Sequence, residues 1–305
     1  MSLFDYISWF FGWIIQGIYF LVNNYGLSII IFTIVTKMLL WPLTLKQQKS
    51  MVKMQALQPR LTELQEKYKD NKEKQNEEMM KMYKRYKINP MASCLPLLFQ
   101  FVLIFFLYKV IREPMQFILN MSTDQINEAI NQYTTTVGAL KAGSEQIVVA
   151  DYLGLLDFNF LGLNLSQTPQ LTQISWYWLI PIIAAATTFL SSKMMNVGMD
   201  KKPEPEVKKL ENRPARPPRP GEKQSGGDTA NQMTKNMTYF MPIMTLFFTF
   251  ALPNGISVYW IAGNVVQIIQ QFIMNKFLVP RMKERAEIEN DLENERKYRK
   301  KRKKR

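Results

Sequence analysis

Residues 27–46 read LSIIIFTIVTKMLLWPLTLK, an apolar run interrupted by Lys37 and by one proline, Pro42, and closed by Lys46. At a rise of ~1.5 Å per residue, a hydrocarbon core of ~30 Å asks for about 20 residues, so this run is long enough to cross a bilayer. Four further stretches of the same kind follow. The sequence predicts spans over residues 27–45, 91–111, 174–192, 237–252 and 256–279, the fourth so short that local thinning or tilt is implied.

Between these spans the charges are gathered into blocks, which is why mean hydropathy stays near zero in a chain that is 47% hydrophobic. The chain has 305 residues with 39 Lys and Arg against 25 Asp and Glu. Twelve of the basic residues lie in 46–87, ten in 193–235 and thirteen in 276–305, whereas 112–173 holds two basic and six acidic residues. By the positive-inside rule the three basic segments are cytoplasmic, and the long loop 112–173 and the 253–255 turn are outside. The first span then starts outside and the basic tail, 280–305, ends in the cytoplasm, with the chain crossing the membrane several times.

Residues 1–26 are crowded with aromatics, among them Tyr6, Trp9, Phe10, Phe11, Trp13, Tyr19 and Phe20, and carry one formal side-chain charge, Asp5. They lack the basic start and small-residue cleavage site of a secretory signal. An interfacial helix on the outer face is the reading adopted, although a sixth span fits the charge pattern as well.

The segment 46–90 reads as a cytoplasmic helical hairpin. Met51, Met54, Leu57, Leu61, Leu64 and Tyr68 recur at helical spacing, a polar turn follows at 69–72, and Met79, Met82, Tyr83 and Tyr86 form a second stripe. Pro59 is expected to kink or restart the first arm. Two readings of Met51, Met54, Leu57, Met79 and Met82 stand side by side: packing of the two arms, or capture of apolar clients on a soft methionine surface. The Pro-rich stretch 193–236 is expected to be a disordered linker.

Chemistry points away from catalysis. There is no histidine, one cysteine (Cys94) that can form no intrachain disulfide, and no GxxxxGK[ST] phosphate loop. No metal or other cofactor is expected, and the chain is not read as an enzyme. What remains is Lys37, about nine residues or ~13 Å from the cytoplasmic end of its span. An ammonium there costs several kcal/mol unless it snorkels along a tilted helix or faces water; the hydrated cavity is the reading taken. Thr33 stands one turn before it, Gln100 lies in the second span, and Trp260, Asn264, Gln267 and Gln271 line one face of the last. For each of these, groove lining and helix-to-helix hydrogen bonding are both open.

These residues resemble the YidC family of membrane protein insertases, with its mitochondrial and chloroplast relatives. The likeness runs from about Tyr25 to Gln271. It rests on 34–44 with Pro42-Leu43-Thr44; on Met54-Gln55-Ala56-Leu57-Gln58-Pro59; on 89–100, reading NPMASCLPLLFQ; and on Pro253-Asn254-Gly255 leading to Tyr259-Trp260, Asn264 and Gln270-Gln271. The form resembled is the Gram-positive-like one without a large outer domain. The resemblance implies an all-α membrane protein: five transmembrane helices around a hydrophilic groove open to cytoplasm and lipid, with a cytoplasmic hairpin that helps receive clients.

The mechanism expected from this is energy-independent insertion, since no nucleotide motif is present and burial of the client's apolar helix supplies the drive. Lys37, at a position where the family often has arginine, would attract an acidic or polar outer segment of the client. Thr33, Gln100, Tyr259, Trp260, Asn264 and Gln267 would line the groove. The implied partners are nascent membrane proteins and anionic lipids, with the ribosome and the Sec translocon beyond them, for a protein functional as a monomer. The reading from another class is a small anion transporter or channel with Lys37 as the anion site; paired broken helices in internal repeats, usual in such transporters, are not evident.

Overall fold

Asn23 and Asn24 decide how the chain begins to fold. In the computed structural model, which describes residues 3–86, 95–140, 142–170, 175–196, 226–282 and 284, helix α1 (Leu3–Val22) ends at Asn23, which takes a left-handed φ of 49°. Asparagine tolerates that conformation as a helix stop. Asn24 then caps α2 (Tyr25–Leu39), its side-chain oxygen accepting from the Leu27 N–H at 3.0 Å. The chain is mostly helical and divides into two compact units.

The first unit comprises Met1–Pro42, Pro96–Ser191 and Tyr239–Ile269. It holds α1, α2, α5 (Leu95–Arg112), three short helices α6 (Pro114–Phe117), α7 (Thr123–Thr136) and α8 (Glu145–Tyr152), a small antiparallel hairpin β1 (Asn159–Phe160) and β2 (Leu163–Asn164), and most of α9 (Leu179–Asn196) and α11 (Asn254–Ile273). Tyr25, Ile29, Phe32, Leu107, Ile111, Met115, Phe117, Ile147 and Phe158 form one buried cluster. α1 contributes Ser8, Gly12 and Ile15, one helical face, and leaves Tyr6, Phe10, Trp13 and Phe20 exposed. At Gly12 an added Cβ would stand 2.1 Å from the Phe117 carbonyl oxygen, so this contact admits no side chain. Asp5 pairs with Lys109 of α5.

The segment 112–173, expected as an outer loop, carries a folded cap. α7 starts on a complete capping box between Ser122 and Gln125 and buries Ile126 and Ala129. β1 and β2 are joined by Leu161-Gly162, both at positive φ (51° and 80°), the two-residue turn whose twist matches a hairpin. The cap is tied to the beginnings of two long helices. Asn24 Nδ2 donates to Asp157 Oδ2 and to the Asn159 carbonyl, and the Asn254 and Gly255 N–H groups donate to the Gln167 and Leu165 carbonyls. The Tyr25 and Phe158 rings lie 4.6 Å apart at their centres. A long stretch between spans was legible; the caps, turns and buried residues that fold it were read only as loop.

The second unit comprises Leu43–Leu95, Ser192–Thr238 and Gln270–Arg305. Its hairpin pairs α3 (Trp41–Lys67) with α4 (Lys72–Arg85), and Asn71 caps α4 by accepting from the Lys74 N–H. Leu57 and Leu61 are buried, with Met54, Met79, Met82, Tyr83 and Tyr86 packed against them. Arg60 donates to the Tyr86 hydroxyl and lies over its ring. On the exposed face Lys81 bonds Glu77 and Glu78, which raises the lysine and lowers the Glu77 carboxyl from their ordinary values.

Several boundaries differ from the sequence reading. The first apolar run is broken at Leu40: α2 stops there, and α3 starts at Trp41 with Pro42 in its first turn, where a missing N–H costs nothing. α3 then continues through Pro59, so of the two outcomes expected there the restart does not occur. α10 (Gly226–Ala251) begins within the stretch read as disordered linker, so its last part, 226–236, is helical. Trp176–Met195 and Asn254–Met282 are long and apolar enough to cross a membrane, and the pair Tyr25–Leu39 and Trp41–Met54 makes a third if counted as one broken span. The apolar part of the fourth stretch, Thr238–Ala251, is shorter. The stretch 87–94, most of the Pro-rich linker and most of the basic tail lie outside the described residues.

Candidate functional site

α2 and α11 both start at the cap and run side by side in the same direction. Gly255, in the first turn of α11, sits where an added Cβ would meet Tyr25 Cε1 at 3.3 Å and Ile29 Cδ1 at 3.6 Å. Eight residues further on, at Gly263, it would meet Lys37 Cε at 3.7 Å and Thr33 Cγ2 at 3.9 Å. Both helices advance by eight residues between these contacts, ~12 Å of rise, so the pair keeps one register over that length. At Gly255 the approach is tight enough to favour glycine, whereas at Gly263 the distances are ordinary contacts.

Lys37 is half-buried, its stem laid beside Gly263. Thr33, one turn earlier, is 1% exposed, and its hydroxyl donates to the Ile29 carbonyl at 2.7 Å. Its one donor is therefore used within its own helix, and its oxygen keeps acceptor capacity. Gln100 lies on α5, and its side chain falls outside the described residues.

The next part of the α11 face turns toward α9. Trp260 Nε1 donates to Thr188 Oγ1 at 2.9 Å, and Asn264 Nδ2 donates to Thr188 Oγ1 at 2.8 Å and to Thr187 Oγ1 at 3.2 Å. The Thr188 hydroxyl in turn donates to the Ala184 carbonyl, so it accepts twice and gives once. Helix-to-helix hydrogen bonding, one of the two readings open for Trp260 and Asn264, is what the geometry displays. Gln267, two turns beyond Trp260, is half-buried, and Tyr259 is 3% exposed. Thr187, Thr188 and Gly263 were missed in the sequence, although the run AAATT inside an apolar span carried a signal of small and polar residues at a helix contact.

Thr188→Val keeps the shape and removes the acceptor. The expected result is a loss of about 1–2 kcal/mol in lipid or detergent, read as a lower unfolding midpoint, because the half-buried Trp260 donor loses its partner and Asn264 is left with the longer Thr187 bond. Thr187→Val, which removes only the longer bond, should cost less.

In the second unit, Met54, Leu57, Met79 and Met82 meet inside the hairpin, with Leu57 1% exposed. Met51 is half-buried and stands outside that cluster. Near α11's end Asn275 Nδ2 donates to the Met194 carbonyl and its oxygen accepts from Gln271, within a π-helical turn at Met274–Leu278. Among the described residues no group of His, Cys, Asp and Glu is placed to hold a metal ion.

Apolar helices of spanning length, with polar side chains turned toward one another, define a helical membrane protein. The chain belongs to the 60Kd inner membrane protein family, which matches residues 17–283. It is 29% identical over 256 residues to the membrane protein insertase YidC of Fusobacterium nucleatum subsp. nucleatum, covering 84% of this chain and 88% of that one. The membrane protein insertases YidC of Rickettsia africae and Maridesulfovibrio salexigens are 32% and 31% identical over 84% and 83% of this chain. The chain spans about a third of the length of those two, 36% and 35%.

Proposed function

We infer that this chain is a membrane protein insertase, moving hydrophobic helices from the cytoplasm into the bilayer. Family membership and the insertases it resembles support the class. The observation that carries the mechanism is the half-buried Lys37 ammonium stem set beside Gly263, at the seam between α2 and α11. In this reading five spans surround a hydrated groove open to cytoplasm and lipid, α1 lies in the outer interface, and the cap closes the outer ends of α2 and α11. The start of the first span is outside and the basic tail inside.

Lys37 attracts an acidic or polar outer tail, and the client helix slides from the groove into lipid. Gln100, Tyr259 and Gln267 line the route, together with Thr33, Trp260 and Asn264 when their present bonds are exchanged. The hairpin methionines receive clients once its arms part. Burial drives the step: roughly 20 apolar residues gain far more than the few kcal/mol needed to move a short polar tail. Nascent membrane proteins and anionic lipids are the partners, the ribosome and Sec translocon join in delivery, and one copy suffices.

Liposomes containing the purified protein and a labelled single-span client test the reading. Protease-protected client without added nucleotide is the expected result. Anion flux with no protected client would instead establish the transporter reading.

A further inference from the structure

The cap contains a cavity of about 320 Å³ that the insertion route does not use, within the range of ~300–1,000 Å³ typical of small-molecule sites. It lies where α5 ends, between the start of α6, one face of α7 and the first turn of α8, and it gathers three charged side chains, Arg112, Glu113 and Glu145. Arg112 is held in place: its guanidinium donates to the Tyr108 hydroxyl at 2.7 Å and packs against Gly143, where an added Cβ would stand 2.9 Å away. With five N–H donors it keeps capacity for an anion. Glu145 accepts from the Gly143 N–H, and among the described residues neither Glu113 nor Glu145 forms an ion pair. Burial pushes the Glu113 carboxyl up from its ordinary value, against the pull of Lys109 and Arg112, so a ligand cation there would relieve an unfavourable charge.

The site thus offers one anion-binding guanidinium, two carboxylates and neutral hydrogen-bonding groups on Thr123 and Asn127, over an apolar wall of Ile126 and Ile130. That is the complement of a ligand with a phosphate and an ammonium a few bonds apart. We propose that the cavity binds the headgroup of an aminophospholipid, the phosphate on Arg112 with Thr123 and Asn127, and the ammonium on Glu113 and Glu145. The lipid source, rather than a free phosphate ester, follows from the place: Arg112 closes the apolar helix α5, at headgroup depth if α5 crosses the membrane as proposed. The inference rests on that reading of α5 and not on the insertion mechanism.

The test is native mass spectrometry of the full chain in detergent with dihexanoyl phosphatidylethanolamine, phosphatidylcholine and phosphatidylglycerol. Phosphatidylethanolamine should be retained about tenfold better than the other two, the scale of a lost charge-assisted hydrogen bond. Glu113→Gln with Glu145→Gln should erase the preference; Glu113→Gln alone, which keeps the shape, serves if the double variant does not fold. Equal retention of the three lipids, or an unchanged preference in the variants, overturns the proposal. Glycerophosphoethanolamine binding as tightly as the lipid overturns the lipid assignment, as does displacement by a short peptide amide with a free N-terminus. Client insertion is scored separately in liposomes, so a failed insertase reading and a failed headgroup site give different patterns.

Discussion

Lys37→Glu is expected to cut insertion of clients with acidic outer tails on the order of a hundredfold, because an attraction at close range in a medium of intermediate dielectric becomes a repulsion. Clients with neutral tails should lose far less, and high salt should narrow the difference where the site is wet. Lys37→Arg keeps the charge and should retain insertion. Gly263→Ala is the control for shape: its Cβ would meet Lys37 Cε and Thr33 Cγ2 at ordinary contact distances of 3.7 and 3.9 Å, so it should be tolerated. Protease protection of matched acidic and neutral clients reads all of these. Equal activity of the glutamate and arginine variants on acidic tails defeats the charge-attraction step, while leaving the family assignment intact.

Gly12→Ala should be the most damaging single methyl group in the first unit. Its Cβ would overlap the Phe117 carbonyl oxygen at 2.1 Å, and backbone cannot rotate out of the way as a side chain can. α1 must lift from the α5–α6 corner, disturbing the Trp9 and Phe117 ring contact and the nearby Asp5–Lys109 pair. A loss of about 3 kcal/mol is expected, the upper part of the range for overpacking. Gly17→Ala, on the same helix with nothing within 4 Å, should be neutral or slightly stabilising, since alanine favours helix over glycine. Thermal unfolding of both variants in one detergent checks the pair. A Gly12→Ala midpoint equal to that of Gly17→Ala would mean that α1 does not pack on Phe117 in the membrane.

Class and family were legible because they rest on features that act locally or in sum. A run such as 27–46 is apolar along its whole length, and charge blocks choose a side of the membrane whatever the helices touch. The helical spacing of Met54, Leu57, Met79 and Met82 likewise foretold two arms able to pack, and they meet in one cluster. Lys37 stood out for the same reason: a charge in an apolar run is costly wherever it points.

Partner choice was not legible. Trp260, Asn264 and Gln267 share a helix face in the sequence, yet Trp260 and Asn264 bond Thr188 some seventy residues away while Gly263, between them, faces Lys37. The break at Leu40 was hidden because Pro42 fits a helix's first turn as readily as it ends one. The cap was hidden because its helices are short and its stability comes from distant contacts, such as Phe158 on Tyr25 and Gln167 on Asn254. Hydrophobic length and net charge are properties that each segment carries alone, so the order of residues suffices to read them. Which glycine receives which side chain depends on the register between helices, and that exists once they are packed.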